Sequence, residues 1–296
     1  ERALNSDPRI EQYWFSLINT LMKLEKYEDA RMSIESARKH GLSGDKFDVI
    51  ALDAEAKLGL LSSTKPDLPK EQLKSLSEMF ARGDFGAVVK KVAEIEEIYS
   101  TSISLLNLKG ASYASLQQYD DAVKCFKKSV EINPNDAAAF SDLGNVQRAR
   151  NDFGGAVIAY QNALMVSPDD IRTKFKLACV YNVQNEIGDA TTLFHDIINQ
   201  IEASSVLKSK YKVEHYTAYA NLVGLLIDVE DFHAATALCE KAKKIVYLTA
   251  EFYNNYGILN SMQNNNNLAL KNFQSAIDLD PEYAVPFKNL ASLYIE

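Results

Sequence analysis

The chain of 296 residues is 47% hydrophobic, holds 12 glycines and 7 prolines, and carries a net charge of −8. That apolar content can bury a core, whereas so few turn formers argue against a many-stranded sandwich. The acidic balance argues against binding a phosphate backbone, which draws its affinity from clustered Lys and Arg.

From the N-terminus, Trp14, Leu17 and Leu21, followed by Ala30, Ile34 and Ala37, form one helix-turn-helix pattern that begins near Glu11. Ala3 and Pro8 lie one repeat interval, about 34 residues, before Ala37 and Leu42, so the chain is expected to open in the second helix of an earlier unit. The register breaks between Asp45 and Lys70, where "KFDVIALDAEAKLGL" predicts an amphipathic helix without a partner and "SSTKPDLPK" a connector. From Leu68 to Ile95 runs a weaker unit, with Val88 and Val92 where other units place a small residue and a ring. The clearest unit follows, with Gly110, Tyr113, Ala122, Phe126 and Pro134. Steps of the same interval reach Gly144, Gln147, Ala156, Tyr160 and Pro168, then Ala178, Tyr181, Ala190, Phe194 and Glu202.

The phase then slips by the length of the segment "ASSVLKSKYKV". This insertion carries Lys208, Lys210 and Lys212 beside Tyr211, and is expected to lengthen its two flanking helices, since Ile197, Ile198, Ile201 and Val213 keep apolar spacing; the alternative is a basic docking knob. The pattern resumes with Leu222, Ala235, Cys239 and Ala242, then Tyr253, Gly257, Ala269, Phe273, Ala276 and Pro281. Phe287, Leu290, Ala291 and Tyr294 open one more unit, and the sequence stops before its second helix. An outermost solenoid helix turns polar to stay soluble, so the chain is expected to be a piece of a longer protein whose native N-terminus lies upstream.

The columns have a physical meaning. Gly110, Gly144, Ala178, Gly257 and Ala291 fall where two helices cross, and a side chain of almost no bulk lets their axes approach to about 8–10 Å. Ala122, Ala156, Ala190, Ala235 and Ala269 do the same on the second helices. Phe126, Tyr160, Phe194 and Phe273 fill space between units, while Pro134, Pro168 and Pro281 stop helices. This pattern resembles the tetratricopeptide repeat. The resemblance implies an all-α fold, a right-handed superhelical solenoid of helix-turn-helix repeats, with about seven near-complete units.

Candidate chemistry gives way to this reading. Asp84-Phe85-Gly86 is the tripeptide whose Asp holds magnesium in protein kinases, but it recurs as Asp152-Phe153-Gly154 two intervals later, and the kinase's other motifs are absent. Both are read as inter-helix turns, with Asp capping the second helix. His40, His195, His215 and His233 lack partners at ligand or triad spacing and read as partly exposed helix residues. Glu96-Glu97 and Asp120-Asp121 read as solvated faces or caps, and "QNNNN" at Gln263 to Asn267 as a turn, because Asn tolerates the left-handed conformation. Cys125, Cys179 and Cys239 read as reduced core thiols, which suits a cytoplasmic location. No run approaches the ~18 apolar residues of a membrane span.

The resemblance implies a concave groove, lined by the first helices, that takes peptides or extended segments. One groove column reads Leu108, Asp142, Lys176, Asn221, Asn255, Asn289. Its asparagines are similar to the ladder in the repeat domain of the nucleocytoplasmic N-acetylglucosamine transferase, where such side chains hydrogen-bond a ligand's backbone. The candidate groove residues are Asn107, Asp142, Asn145, Arg172, Lys176, Asn182, Asn221, Asn255 and Asn289. Arg172 and Lys176 match the basic pair of the co-chaperone dicarboxylate clamp, but Asn107, Ala111 and Asp142 hold its other places, and Asp142 repels a carboxylate.

The expected organisation is therefore residues 1–65, a repeat plus an extra helix; 66–204, a repeat array; 205–215, an insertion; and 216–296, the array continued. The expected function is a non-catalytic protein-interaction scaffold with a protein or peptide ligand, no cofactor, no metal, no nucleic acid and no membrane. "IEQYWFSLINTLMKLEKYEDAR" and "LPKEQLKSLSEMFARGDF" also resemble the start of bacterial repeat proteins that continue into a sulfotransferase, glycosyltransferase or methyltransferase. The alternative is thus the substrate-recruiting arm of such an enzyme.

Overall fold

The computed structural model describes residues 11–42, 50–51, 53–54, 57–58, 68–244 and 248–295. Among them every regular element is a helix, sixteen in all, and none is a strand. The opening fragment at Ala3 and Pro8, and most of the lone helix and connector expected between Asp45 and Lys70, fall outside the described residues.

Two compact units divide the chain at residues 146 and 147. The first contains α1 (Glu11–Lys23), α2 (Tyr27–Lys39), α3 (Lys70–Ala81), α4 (Phe85–Ile95), α5 (Ile103–Ser115), α6 (Tyr119–Ile132) and most of α7 (Ala137–Ala149). The second contains α8 (Phe153–Val166), α9 (Ile171–Val183), α10 (Ile187–Glu202), α11 (Ser205–Lys210), α12 (Lys212–Asp228), α13 (Phe232–Ala242), α14 (Ala250–Met262), α15 (Asn266–Leu279) and α16 (Ala284–Ile295). Consecutive helices pair as α1 with α2, α3 with α4 and α5 with α6 in the first unit, and as α9 with α10, α12 with α13 and α14 with α15 in the second. The first helix of a pair also meets the first helix of the next: α3 meets α5, α9 meets α12, α12 meets α14, and α14 meets α16. Each unit is thus an array of stacked hairpins.

The period is written into the backbone of the turns. Gly83, Gln117, Asn151 and Asn185 have positive φ and follow one another at the repeat interval; Glu230 comes after the insertion and Asn264 one interval later. At each, the next N–H reaches back five residues: Gln118 to the Tyr113 carbonyl at 2.9 Å, Asp152 to Gln147 at 2.8 Å, Asn265 to Asn260 at 2.8 Å. This is the Schellman closure of a helix C-terminus, with a left-handed residue in the middle. "QNNNN" is such a turn, as expected. The Asp-Phe-Gly turns behave differently from each other. Asp152 caps α8, accepting from the Gly155 N–H at 3.0 Å, but Asp84 makes no cap bond and turns to Arg82 Nε at 3.3 Å, a charged donor in place of a neutral one.

The small-residue columns are core. Ala122, Ala156, Ala190, Ala235 and Ala269 are fully buried, as are Ala30 and Val88 in the equivalent positions of their pairs. Phe126, Tyr160, Phe194 and Phe273 are buried with them. In two pairs the ring lies over the small residue of its own hairpin: a Cβ on Gly110 would stand 3.0 Å from the Phe126 ring, and one on Gly257 only 2.5 Å from the Phe273 ring. Ala291 is the exception to its column and is exposed, since no helix follows α16 among the described residues. The insertion lengthens its neighbours only in part. The 16-residue α10 buries Ile197, Ile198 and Ile201 and the 17-residue α12 follows, but a separate short helix, α11, intervenes and Val213 is exposed.

Gly257→Ala is therefore expected to lower stability by ~1–3 kcal/mol, because backbone or ring must yield. Gly188→Ala, whose Cβ meets nothing within 4 Å on a helix, is expected to raise it by ~0.5–1 kcal/mol. Helix melting followed by circular dichroism compares the two.

Candidate functional site

The groove candidates sit on the first helices, where each fold unit places them separately. In the first unit Asn107 on α5 donates from Nδ2 to Asp136 Oδ2 at 3.3 Å, and Asp136 also caps α7 through the Ala139 N–H at 3.0 Å. Asn145 donates to Asp142 Oδ1 at 3.2 Å, one turn away on α7.

In the second unit Arg172 and Lys176 lie one turn apart on α9. Arg172 is mostly exposed, yet its Nε reaches Glu214 on α12 at 3.2 Å and its guanidinium lies 5.8 Å from the Tyr211 ring centre. Asn182 is half-buried near the end of α9. Asn221 turns its Nδ2 to the Thr217 carbonyl of its own helix at 2.8 Å. Asn255 and Asn289 do something else: Asn255 donates to the Ala220 carbonyl at 2.9 Å, and Asn289 to Asn254 Oδ1 at 2.9 Å, each reaching the first helix of the preceding pair. Gly224 makes room for the first of these, since a Cβ there would stand 3.1 Å from Asn255 Nδ2. One hydrogen of each amide therefore ties neighbouring helices together. Asn255 Oδ1 also accepts from Asn254 Nδ2 at 3.4 Å, and both Asn255 and Asn289 are half-buried.

The sequence reading missed a polar cluster beneath the insertion. Glu202, at the end of α10, accepts from Tyr219 Oη and from Lys241 Nζ at 2.7 Å, and lies 3.5 Å from His215 Nε2. His215 is not the partly exposed helix residue its sequence context suggested: it is 5% exposed, packed edge-on to Tyr219, and its Nε2 is buried without a hydrogen bond. The 3.5 Å approach to Glu202 is contact only. Burial drives the His215 pKa down, and Lys208 and Lys241 add to this against the opposing Glu202. Burial alone would raise the Glu202 carboxyl, but the Lys241 and Tyr219 bonds outweigh it and hold it below the ordinary carboxylate range. Tyr219 is pushed far up by burial and by its bond to Glu202. The only advance signal of this cluster was the phase slip itself, which marks where one pair of helices cannot pack like the others.

The cysteines are unpaired. Cys125 and Cys239 are buried and Cys179 is half-buried, and burial pushes the Cys179 and Cys239 thiols up to about 11 and about 12. Such thiols are poor nucleophiles near neutrality. No group of three His, Cys, Asp or Glu among the described residues is placed to hold a metal ion, and no described helix is long and apolar enough to cross a membrane.

A histidine whose pKa is depressed on folding takes up its proton more readily when unfolded, so stability falls as pH drops through its ordinary value of 6.5. His215→Gln is expected to flatten the stability curve between roughly pH 7 and pH 5. Urea unfolding of both proteins at a series of pH values measures it.

Against known proteins, residues 103–136 match the family model for the tetratricopeptide repeat. The cytochrome c-type biogenesis protein CycH of Pseudomonas aeruginosa is 28% identical over 151 residues, which is 51% of this chain and 32% of that protein. The chain thus spans about a third of that relative's length. Among solved structures, Pseudomonas aeruginosa pilF superposes with a TM-score of 0.57 at 12% identity, covering 74% of this chain and 95% of that one. YrrB, described as a TPR protein with an unusual peptide-binding site, gives 0.53 at 15% identity over 67% and 96%. The APC/C hetero-tetramer Cut9-Hcn1 gives 0.53 at 10% identity over 99% and 57%. The fold is that of tetratricopeptide-repeat proteins.

Proposed function

We propose that this tetratricopeptide-repeat chain is a non-catalytic scaffold that holds an extended segment of a partner protein along the first helices of its second unit, in the cytoplasm. The carrying observation is the pair Asn255 and Asn289, one repeat apart, each fixed by one bond to the preceding first helix. A side chain already held in place loses little rotamer freedom when a ligand engages its remaining polar atoms, so the row is pre-organised to read a backbone, which every peptide has. Arg172 and Lys176 add a positive end to that row, and the tie between Arg172 and Glu214 fixes its position. Asn182 and Asn221 belong to the same proposed surface in this unit. In the first unit, Asn107, Asp142 and Asn145 form a smaller one, with Asp142 setting its sign.

The triple variant Asn221→Ala, Asn255→Ala, Asn289→Ala is expected to bind at least tenfold more weakly those peptides, selected from a displayed random library without Asp or Glu, that bind the wild-type chain. Unchanged affinity in the variant, with an unchanged melting curve, ends this reading. Weaker binding that merely tracks a lower melting temperature assigns the asparagines to the fold alone.

The relative CycH favours a second reading, in which the scaffold serves c-type cytochrome biogenesis. Deleting the gene in its host is then expected to deplete c-type cytochromes, visible by haem staining of membrane extracts. Normal levels dismiss it.

A further inference from the structure

We propose that the eleven-residue insertion is a docking surface for an acidic peptide segment of a partner protein. It goes beyond the asparagine row, because its three lysines lie outside the repeat columns, and only Arg172 is shared with that row. Lys208, Lys210 and Lys212 are all exposed, and among the described residues none of them makes an ion pair. In a chain of net charge −8 such a group is a local reversal of sign, and it attracts acid while the surrounding surface repels it.

The surface is built, with a floor and fixed cations. Ser204 caps α11 through the Leu207 N–H at 3.4 Å, and Tyr211, 8% exposed, lies below. Lys210 Nζ is 4.9 Å from the centre of the Tyr211 ring and the Arg172 guanidinium 5.8 Å, so one aromatic ring holds a cation from the insertion and a cation from α9 near it. Glu214, which pairs with Arg172, is itself largely buried and leaves the lysines uncompensated. Val206 at 70% and Val213 at 74% exposure flank the lysines and give apolar contacts beside the charges.

These features select a peptide over other polyanions. Single-stranded nucleic acid gains from exposed rings on which bases stack, and Tyr211 is buried. A membrane surface needs an amphipathic helix with a broad apolar face, and α11 has six residues. An extended polyanion of either kind also meets the acidic remainder of the chain, whereas a short segment carrying carboxylates and aliphatic side chains meets only the insertion.

The test uses the full chain and a fluorescein-labelled octapeptide, Glu-Glu-Leu-Glu-Glu-Leu-Glu-Glu, followed by fluorescence anisotropy. Binding is expected to weaken as salt rises, to fall at least tenfold in the variant Lys208→Glu, Lys210→Glu, Lys212→Glu, and to fall less in the corresponding Gln variant. The triple asparagine variant is expected to bind this peptide as the wild type does, which separates failure here from failure of the asparagine row. The proposal is overturned if the wild type does not bind the peptide or if the Glu variant, with an unchanged helix melt, binds it equally well. Tighter binding of a labelled ten-nucleotide single strand or of phosphatidylserine vesicles than of the peptide also overturns it.

Discussion

Everything in the two units depends on how closely a second helix can lie against its first. At Gly257 and Gly110 the distance is set by an aromatic ring resting where a methyl group would otherwise be. Interiors pack to crystal-like density, so a ring placed against bare backbone recovers many weak dispersion contacts that a larger residue would replace with strain. The buried alanines on the opposite helix complete the approach. Once that spacing is fixed, the positions of Arg172, Asn255 and every other outward residue of the first helices follow from the regular rise of a rod whose partner is already placed.

That constraint explains which features were legible in the sequence. A crossing that admits only Gly or Ala leaves a column in the text, and its interval survives because the hairpin is a fixed length. The burial of Ala122, Ala156 and Ala269 was thus readable from spacing alone. Capping is less legible, since the exposed carboxylate of Asp84 has a charged neighbour in Arg82 and prefers it, whereas Asp152 makes the bond its position suggests. His215 was illegible for a different reason. It packs against Tyr219 of its own helix and lies 3.5 Å from Glu202 at the end of α10, an encounter across the phase slip that no periodic column records.

The asparagines show how a structural and a recognition role can share one side chain. The sequence displayed their interval but not their partners, and the partners turn out to be oxygens of the neighbouring helix, one a backbone carbonyl and one a carboxamide. A carboxamide has two donor hydrogens and an acceptor with two lone pairs, so even Asn255, which donates to Ala220 and accepts a long bond from Asn254 Nδ2 at 3.4 Å, keeps a hydrogen and a lone pair unused. The groove proposed for the second unit and the cohesion of its first helices therefore draw on the same residues, and a substitution that weakens one is felt by the other.

The turns carry a lesson about lineage. Each left-handed residue, from Glu25 to Asn264, sits in a loop that closes on the helix just finished, with bonds reaching back only three to five residues. Nothing in such a closure refers to the hairpin before it. Extra sequence placed between hairpins, as at residues 205–215, is therefore absorbed where it arises and leaves later hairpins to close as before, so genes of this kind can gain or lose stretches of coding sequence without retuning the rest.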